Sequence, residues 1–167
     1  MSEPLIRATT LADAPAILAL HIAAASRGGG LAREADEMSL PPIEAVIAKS
    51  LATGVALSAW SGGAIAGEIH AGRLGPRQFD NSLTELTVAV HPDFQGQGIG
   101  ARLFEALFAE ARKMSGITRV ELFCREGNRH AVKLYQRLGF VIEGRFVRRV
   151  VLSDGTVEDD LAMAKFL

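Results

Sequence analysis

The segment Val88-Ala89-Val90-His91-Pro92-Asp93-Phe94-Gln95-Gly96-Gln97-Gly98-Ile99-Gly100-Ala101-Arg102-Leu103 constrains this chain more than any other stretch. It leaves a run of strand-like alternation, passes three glycines at alternate positions, and continues into a helical stripe of Ile99, Leu103, Phe104, Leu107, Phe108 and Ala111. The pattern demands a sheet strand followed by a helix that packs back on the sheet. The first N–H groups of such a helix have no intrahelical partner, and the helix dipole is positive there. Each glycine costs a helix roughly 1 kcal/mol relative to alanine. Three together are therefore expected where a ligand approaches the main chain, and the ligand that suits this geometry is a diphosphate. The plainer alternative is a glycine-rich connection with no ligand.

Around this segment the chain reads as short alternating elements. Leu5 to Thr9 is a strand, and Thr10 with Asp13 opens a helix running to about Ala25. Gly28-Gly29-Gly30 ends that region. Pro41-Pro42 suits a helix's first turn, Ile43 to Ala52 has helical spacing, and Gly54 stops it. Val55 to Trp60, a Gly62-Gly63 turn and Ala64 to Leu74 form a hairpin, followed by a polar loop from Gly75 to Ser82. In Leu83 to Val90 the alternation places Leu86, Val88 and Val90 on one face, with Glu85, Thr87 and Ala89 on the other. Ile117 to Cys124 is a strand with Glu121 opposite an apolar face. A helix then runs between Asn128 as N-cap and Gly139 past its end. Phe140 to Leu152 and Val157 to Phe166, joined by Ser153-Asp154-Gly155-Thr156, form a closing hairpin. Hairpins and crossovers in one chain predict a mixed sheet.

The 167 residues suit one domain, residues 1–167, large enough to need no disulfide or metal. Eighteen basic and nineteen acidic residues leave a net charge of −1, so no bulk field attracts nucleic acid or an anionic membrane. The single cysteine, Cys124, excludes an intrachain disulfide or a Cys-rich zinc site and suits a reducing compartment. No apolar run approaches the about 18 residues of a membrane span. Ala14 to Ala25 superficially resembles a secretory signal, but Asp13 and His21 interrupt it. A cytoplasmic protein is expected. His21, His70, His91 and His130 lack metal spacing and are read as structural or exposed, so no metal is expected.

Which diphosphate fits is decided by the flanking residues. A phosphate loop of the Walker type needs Gly-Lys-Ser/Thr, which is absent. Gly96-x-Gly98-x-x-Ala101, with Glu121 twenty residues beyond, formally fits a dinucleotide fingerprint. There the glycines follow the strand directly, whereas here His91 to Gln95 intervene, and too little chain follows Glu121 to complete a doubly wound sheet. Gln95-x-x-Gly98-x-Gly100 after Val-x-Val-x-Pro instead resembles the acetyl-CoA motif of the GCN5-related N-acetyltransferases (GNAT). Asn128-x-x-Ala131-x-x-Leu134-Tyr135-x-x-Leu138-Gly139-Phe140 resembles that family's second motif, in the right order.

The resemblance implies an α/β (α+β) single-domain fold. It would have a mixed, mostly antiparallel sheet of about seven strands, about four helices and a splayed central strand pair. It implies acetyl-CoA as co-substrate, held by the main chain of Val88 and Val90, by amides of Gln95, Gly96, Gln97, Gly98, Gly100 and Ala101, and by Asn128. It places Tyr135 near the thioester sulfur as general acid. Tyr135 equally suits a core aromatic, sharing a helix face with Ala131 and Leu138. Glu85 and Glu121 are rival general bases, each acting directly or through water, and each also readable as a solvated strand residue. Asn128 can serve as N-cap and ligand together. Cys124 reads as a buried small hydrophobe. Arg145, Arg148 and Arg149 read as an exposed hairpin face, and Glu158-Asp159-Asp160 as a solvated strand end.

The expected activity is direct acetyl transfer to a primary amine of a small molecule, in a ternary complex, without a covalent enzyme intermediate. The acidic run could attract a cation, and Gly139-Phe140-x-x-Glu143-Gly144-Arg145 resembles the bacterial amino-acid and polyamine acetyltransferase branch. Alternatives are acetylation of a protein N-terminus, a non-catalytic acyl-CoA sensor and a small NAD-binding protein. Expected partners are a small-molecule amine, with no nucleic acid and no membrane; a homodimer is compatible with the sequence.

Overall fold

The computed structural model describes residues 3–28 and 30–167. In chain order it contains β1 (Leu5–Ala8), α1 (Ala14–Ser26), α2 (Leu40–Thr53), β2 (Val55–Ser61), β3 (Ala64–Gly72) and β4 (Ser82–Val90). These are followed by α3 (Ile99–Lys113), β5 (Arg119–Arg125), α4 (Arg129–Arg137), β6 (Val141–Val151) and β7 (Val157–Phe166). The strands make one open seven-stranded sheet in the order β1-β2-β3-β4-β5-β7-β6. Every neighbouring pair is antiparallel except β4 with β5. The expected mixed sheet, with four α-helices among the described residues, is what the chain adopts.

Local chemistry explains the helix boundaries. Asp13 accepts a hydrogen bond from the Thr10 N–H at 2.8 Å and a bidentate pair from Arg7, both bonds 2.8 Å. These contacts hold a single 3-10 turn, Leu11–Asp13, ahead of α1, so the helix proper starts four residues after Thr10. The Arg7 hydrogen bonds hold the Asp13 carboxyl down at about 2. Gly28 and Gly30 follow the helix with positive φ; Gly29 lies outside the described residues. Pro41 and Pro42 lie in the first turn of α2 and Gly54 caps its end, as the sequence predicts.

The two faces of the sheet are covered by different helices. Ile99, Leu103, Phe104, Leu107, Phe108 and Ala111 of α3 are all buried in the main core, against Val120, Leu122 and Cys124 of β5. Phe104 anchors an aromatic cluster with Phe108, Tyr135 and Phe140 at centroid separations of 5.5–5.8 Å. Each fully buried side chain of this size contributes roughly 1.5–3 kcal/mol. On the other face, Ala14 and Ile17 of α1 pack with Ile43 and Ile47 of α2.

The strict alternation expected through Leu83–Val90 fails at Glu85. His70 pairs with Thr87, but Gly72 pairs with Thr84, so three steps on β4 oppose two on β3. The extra residue is a β-bulge at Glu85, whose φ of +53° lies in the left-handed region. The bulge re-phases the strand. Leu83, fully buried, joins Leu86, Val88 and Val90 in the main core, which uninterrupted alternation would forbid. Glu85 turns out of the ladder toward α2, where Lys49 pairs with it.

Candidate active site

A bulge sharpens strand twist and bends the chain, and the pairing of β4 with its parallel neighbour ends at Leu83, two residues before the one at Glu85. The β4–β5 ladder consists of Ser82 with Arg119 and Leu83 with Val120, with no pairing further along. From Glu85 to Val90 the β5-facing edge of β4 therefore has no strand partner among the described residues, while its other edge stays paired with β3. The splayed pair expected over Leu83–Val90 and Ile117–Cys124 is present, and Val88 and Val90 lie on its open edge.

The glycine turn closes one end of this cleft. Gly96 and Gly98 both have φ of +76°, and Gly98 is the N-cap of α3. Only glycine takes that conformation without strain. The first main-chain bond of the helix is Arg102 N–H to Gly98 C=O at 3.1 Å. The amides of Gly96 to Ala101 thus have no main-chain acceptor among the described residues. A Cβ added at Gly96 or Gly98 would meet nothing within 4 Å, so the turn is open on its side-chain face. Gly100 differs: a Cβ there would lie 3.7 Å from Val90 Cγ2 and 3.8 Å from Leu134 Cδ2, so it brings α3, β4 and α4 together. This donor array at a helix N-terminus suits a diphosphate.

Across the cleft, Asn128 caps α4 by accepting from the Ala131 N–H at 3.3 Å. Its amide nitrogen faces Gly30, where a Cβ would come within 2.2 Å, so the segment after α1 closes directly over the start of α4. Tyr135 is buried, edge-on to Phe104 at 5.5 Å and against Phe140 at 5.9 Å. Burial pushes its phenol well above the usual range, with the neighbouring Cys124 adding to the shift. Burial likewise pushes the Cys124 thiol up to about 11, with Asp160 contributing, which makes it unreactive at neutral pH.

The acids occupy less simple surroundings than their sequence positions suggest. Glu85 is exposed and paired with Lys49. Glu121 lies 2.8 Å from Arg119 Nε, and Arg119 also pairs with Glu143 at 2.5 Å. The Glu158-Asp159-Asp160 run is tied to arginines: Arg125 to Glu158 at 3.5 Å, Arg145 to Asp159 at 3.0 Å and Arg149 to Asp160 at 3.4 Å. Its charge is therefore largely matched in place, which removes one reason for expecting it to draw in a cation. Arg145 and Arg149 are the partners, so the exposed hairpin face and the strand end form one ion-pair network.

The sequence reading missed a cluster on the α1–α2 side. Glu68 of β3 is completely buried. Its two carboxylate oxygens meet His21 Nε2 of α1 at 2.6 Å and His70 Nδ1 of β3 at 3.0 Å. The imidazoles stack at 6.4 Å. Burial alone would raise the Glu68 pKa, but the two imidazoles more than offset it and hold the carboxyl well below its usual range. Burial alone would lower the His70 pKa; Glu68, with Glu85 assisting, more than offsets that and raises it. Both histidines line a cavity of about 140 Å³ with Thr87 of β4. Pro42, Ile43 and Val46 of α2 form its apolar wall. The available signal was Glu68 and His70 at alternate positions of an otherwise apolar strand, which puts two polar side chains on one covered face. Among the described residues no group of His, Cys, Asp and Glu is arranged to hold a metal ion, and no helix is long and apolar enough to cross a membrane.

Comparison with known proteins matches this architecture. A family model, the acetyltransferase (GNAT) family, matches residues 34–140. The [ribosomal protein bS18]-alanine N-acetyltransferase of Escherichia coli K12 is 42% identical over 57 residues, 34% of this chain and 38% of that protein. The spermine/spermidine N(1)-acetyltransferase of Bacillus subtilis 168 is 37% identical over 51 residues, 30% of this chain and 34% of that protein. The matched stretch thus spans little more than a third of these relatives. Solved structures align over nearly the whole chain. A GNAT-family acetyltransferase from Streptococcus pneumoniae superposes with a TM-score of 0.89 at 24% identity, covering 99% of this chain and all of that one. Salmonella typhimurium yncA, solved with acetyl-CoA, gives 0.86 at 24% identity, covering 99% and 95%. A ribosomal-protein-alanine N-acetyltransferase from Brucella melitensis gives 0.81 at 28% identity, covering 98% and 99%. With the family model covering well over half of its residues, the chain belongs to the GNAT family of acetyltransferases.

Proposed function

We propose that the chain transfers an acetyl group from acetyl-CoA to a primary amine, by direct attack in a ternary complex. The observation that carries this reading is the free edge of β4 leading into the unpartnered amides of Gly96 to Ala101. A pantetheine arm would extend the sheet by pairing with Val88 and Val90. The Gln95–Ala101 turn would hold the pyrophosphate, and Asn128 would bind the arm beside its capping bond. Tyr135 would act as general acid. Its raised pKa keeps the phenol protonated, so it can donate a hydrogen bond to the sulfur as the C–S bond breaks. The Val90 N–H would stabilise the tetrahedral oxyanion. A base must still take a proton from the ammonium form of the acceptor. The candidate carboxylates are Glu85, beside Lys49 and close to His70, and Glu121, beside Arg119.

The acceptor is proposed to be a small-molecule amine met in the cytoplasm. The cavity of about 140 Å³ supports a compact acceptor; a cavity of about this size holds a benzene-sized group. The second reading is a protein N-terminus, whose first residue is also compact; it is favoured by the E. coli and Brucella relatives named for ribosomal-protein alanine. Competition separates the two. Amino acids, polyamines and short peptides are offered at equal concentration with limiting acetyl-CoA, and products are identified by mass. Acetylated small amines are expected to dominate. If peptides carry nearly all the acetyl groups, the small-amine reading is wrong. If acetyl-CoA binds but no acceptor releases free thiol, the chain is an acyl-CoA sensor.

A further inference from the structure

The buried His21–Glu68–His70 cluster does more than tie α1 to β3, because both imidazoles also line a cavity. The His21 bond ties α1 to β3, and the His70 bond satisfies the second oxygen of the buried carboxylate. His70 donates through Nδ1, leaving Nε2 as its second nitrogen, with no partner among the described residues. A carboxylate bonded to Nδ1–H fixes the tautomer in which Nε2 carries the lone pair, and stabilises the imidazolium once formed. His70 pairs in register with Thr87, one residue from Val88 on the β4 edge. The cavity is therefore next to the strand proposed to hold the thioester, on the side of the sheet covered by α1 and α2.

We infer that His70, oriented by Glu68, is the proton acceptor for the amine, and that this cavity holds the amine's carrier group. The inference rests on the acetyl-transfer reading above. The ammonium gives one proton to His70 Nε2, which passes it to solvent. The freed lone pair attacks the thioester carbonyl, the C–N bond forms and the C–S bond breaks. The second proton lost by nitrogen balances the one taken up by the departing thiolate through Tyr135. One proton is released per turnover. His21 and Glu68 are positioning residues. The charged and titratable groups facing His70 come from every packed element: His21 from α1, Arg33 from the following loop, Glu68 on β3, Glu85 on β4, and Lys49 of α2, which pairs with Glu85. Glu85 thereby becomes a charge that favours the His70 imidazolium rather than the base itself.

The experiment is a pH–rate profile with acetyl-CoA and the best amine of a panel, on wild type, His70→Gln, His21→Gln, Glu68→Gln and Glu85→Gln. Wild type should show an acid-side limb, with activity rising as His70 loses its proton, and its pKa should lie above that of an ordinary histidine. His70→Gln should lose the limb and about 10²-fold in kcat, while acetyl-CoA still raises its melting temperature. Glu68→Gln and Glu85→Gln should move the limb to lower pH, the first further. His21→Gln should keep the limb. Should His70→Gln fail to fold, titration of the His70 ring in wild type by nitrogen-15 NMR stands in, and its pKa must coincide with the kinetic limb. A limb that persists in His70→Gln, vanishes in Glu85→Gln, or differs from the NMR titration overturns the assignment. If wild type acetylates no amine in the panel, the acetyl-transfer reading falls and this role with it.

Discussion

The two sides of β4 are built in opposite ways. On its β5 side, the proposed cofactor cleft is made of main chain: a free strand edge and six consecutive amides, Gly96 to Ala101, supplied by one continuous segment. On the α1–α2 side, the cavity floor is made of side chains from α1 and β3, forty-seven residues apart at His21 and Glu68. A site made of main chain tolerates change in side chains but not in backbone freedom. A site made of side chains depends on the tertiary packing that brings them together. The difference predicts which substitutions harm binding, which harm turnover and which harm stability.

The largest effect is expected at Tyr135 of α4, packed in the main core. Tyr135→Phe keeps the ring in its aromatic cluster and removes the phenolic proton, so turnover should fall ~10²–10⁴-fold. Acetyl-CoA affinity, measured by calorimetry, should stay within about threefold if the residue acts on the chemical step. Unchanged turnover would leave Tyr135 as packing alone and blur the contrast.

Gly98→Val tests the main-chain side. Its Cβ would project into open space, where the pyrophosphate is proposed to lie, and its φ of +76° is strained for any L side chain. Acetyl-CoA should bind more than about tenfold more weakly, a loss of roughly 1.4 kcal/mol. The strain should cost about 1–2 kcal/mol of stability, visible as a lower melting temperature. Equal affinity in variant and wild type would mean the turn does not hold the cofactor.

The side-chain region should instead write itself into the pH dependence of folding. Glu68 and Asp13 have depressed pKa values in the folded state, Asp13 at about 2. Their stabilisation is complete above the unfolded carboxyl range and is lost as pH falls from about 4.5 toward 2. His70 has a raised pKa, so its contribution is complete below about 6.5 and is lost as pH rises through the folded value. Melting temperature across pH 3 to 9 should fall at both ends. Asp13→Asn should flatten the acid side, and His70→Gln the alkaline side. Identical profiles in all three proteins would show that these ion pairs carry no net stability.

The smallest effect is expected at Glu121→Gln. Its carboxylate is already committed to Arg119, which keeps Glu143 as a second partner. Turnover should change by less than about threefold, since a single half-buried ion pair contributes little and the base role is assigned to His70. A loss comparable to that of Tyr135→Phe would restore Glu121 as the base and remove His70 from that role.

Much of the cofactor side was legible because its chemistry is local. The glycine spacing, the apolar stripe of α3 and the Asn128 cap each sit within one stretch, and the structure places all three as their patterns require. Glu85 was legible as an acid on β4, but not as a bulge. Whether an extra residue enters a ladder is settled by the register with β3, not by β4's own alternation. The acidic run at Glu158–Asp160 looked free in the chain and is matched by Arg125, Arg145 and Arg149, which come from β5 and β6.

The sequence by itself thus determined the order of strands and helices, the glycine turn with its unpartnered amides, and the helix carrying Asn128 and Tyr135. Periodicity and capping act between residues a few positions apart, so they can be read along the chain. Only the tertiary structure decided where β4 leaves β5, that Lys49 reaches Glu85, and that His21 and His70 share one buried carboxylate. Those arrangements depend on sheet register and on helices laid across strands, and they join side chains that share no local pattern.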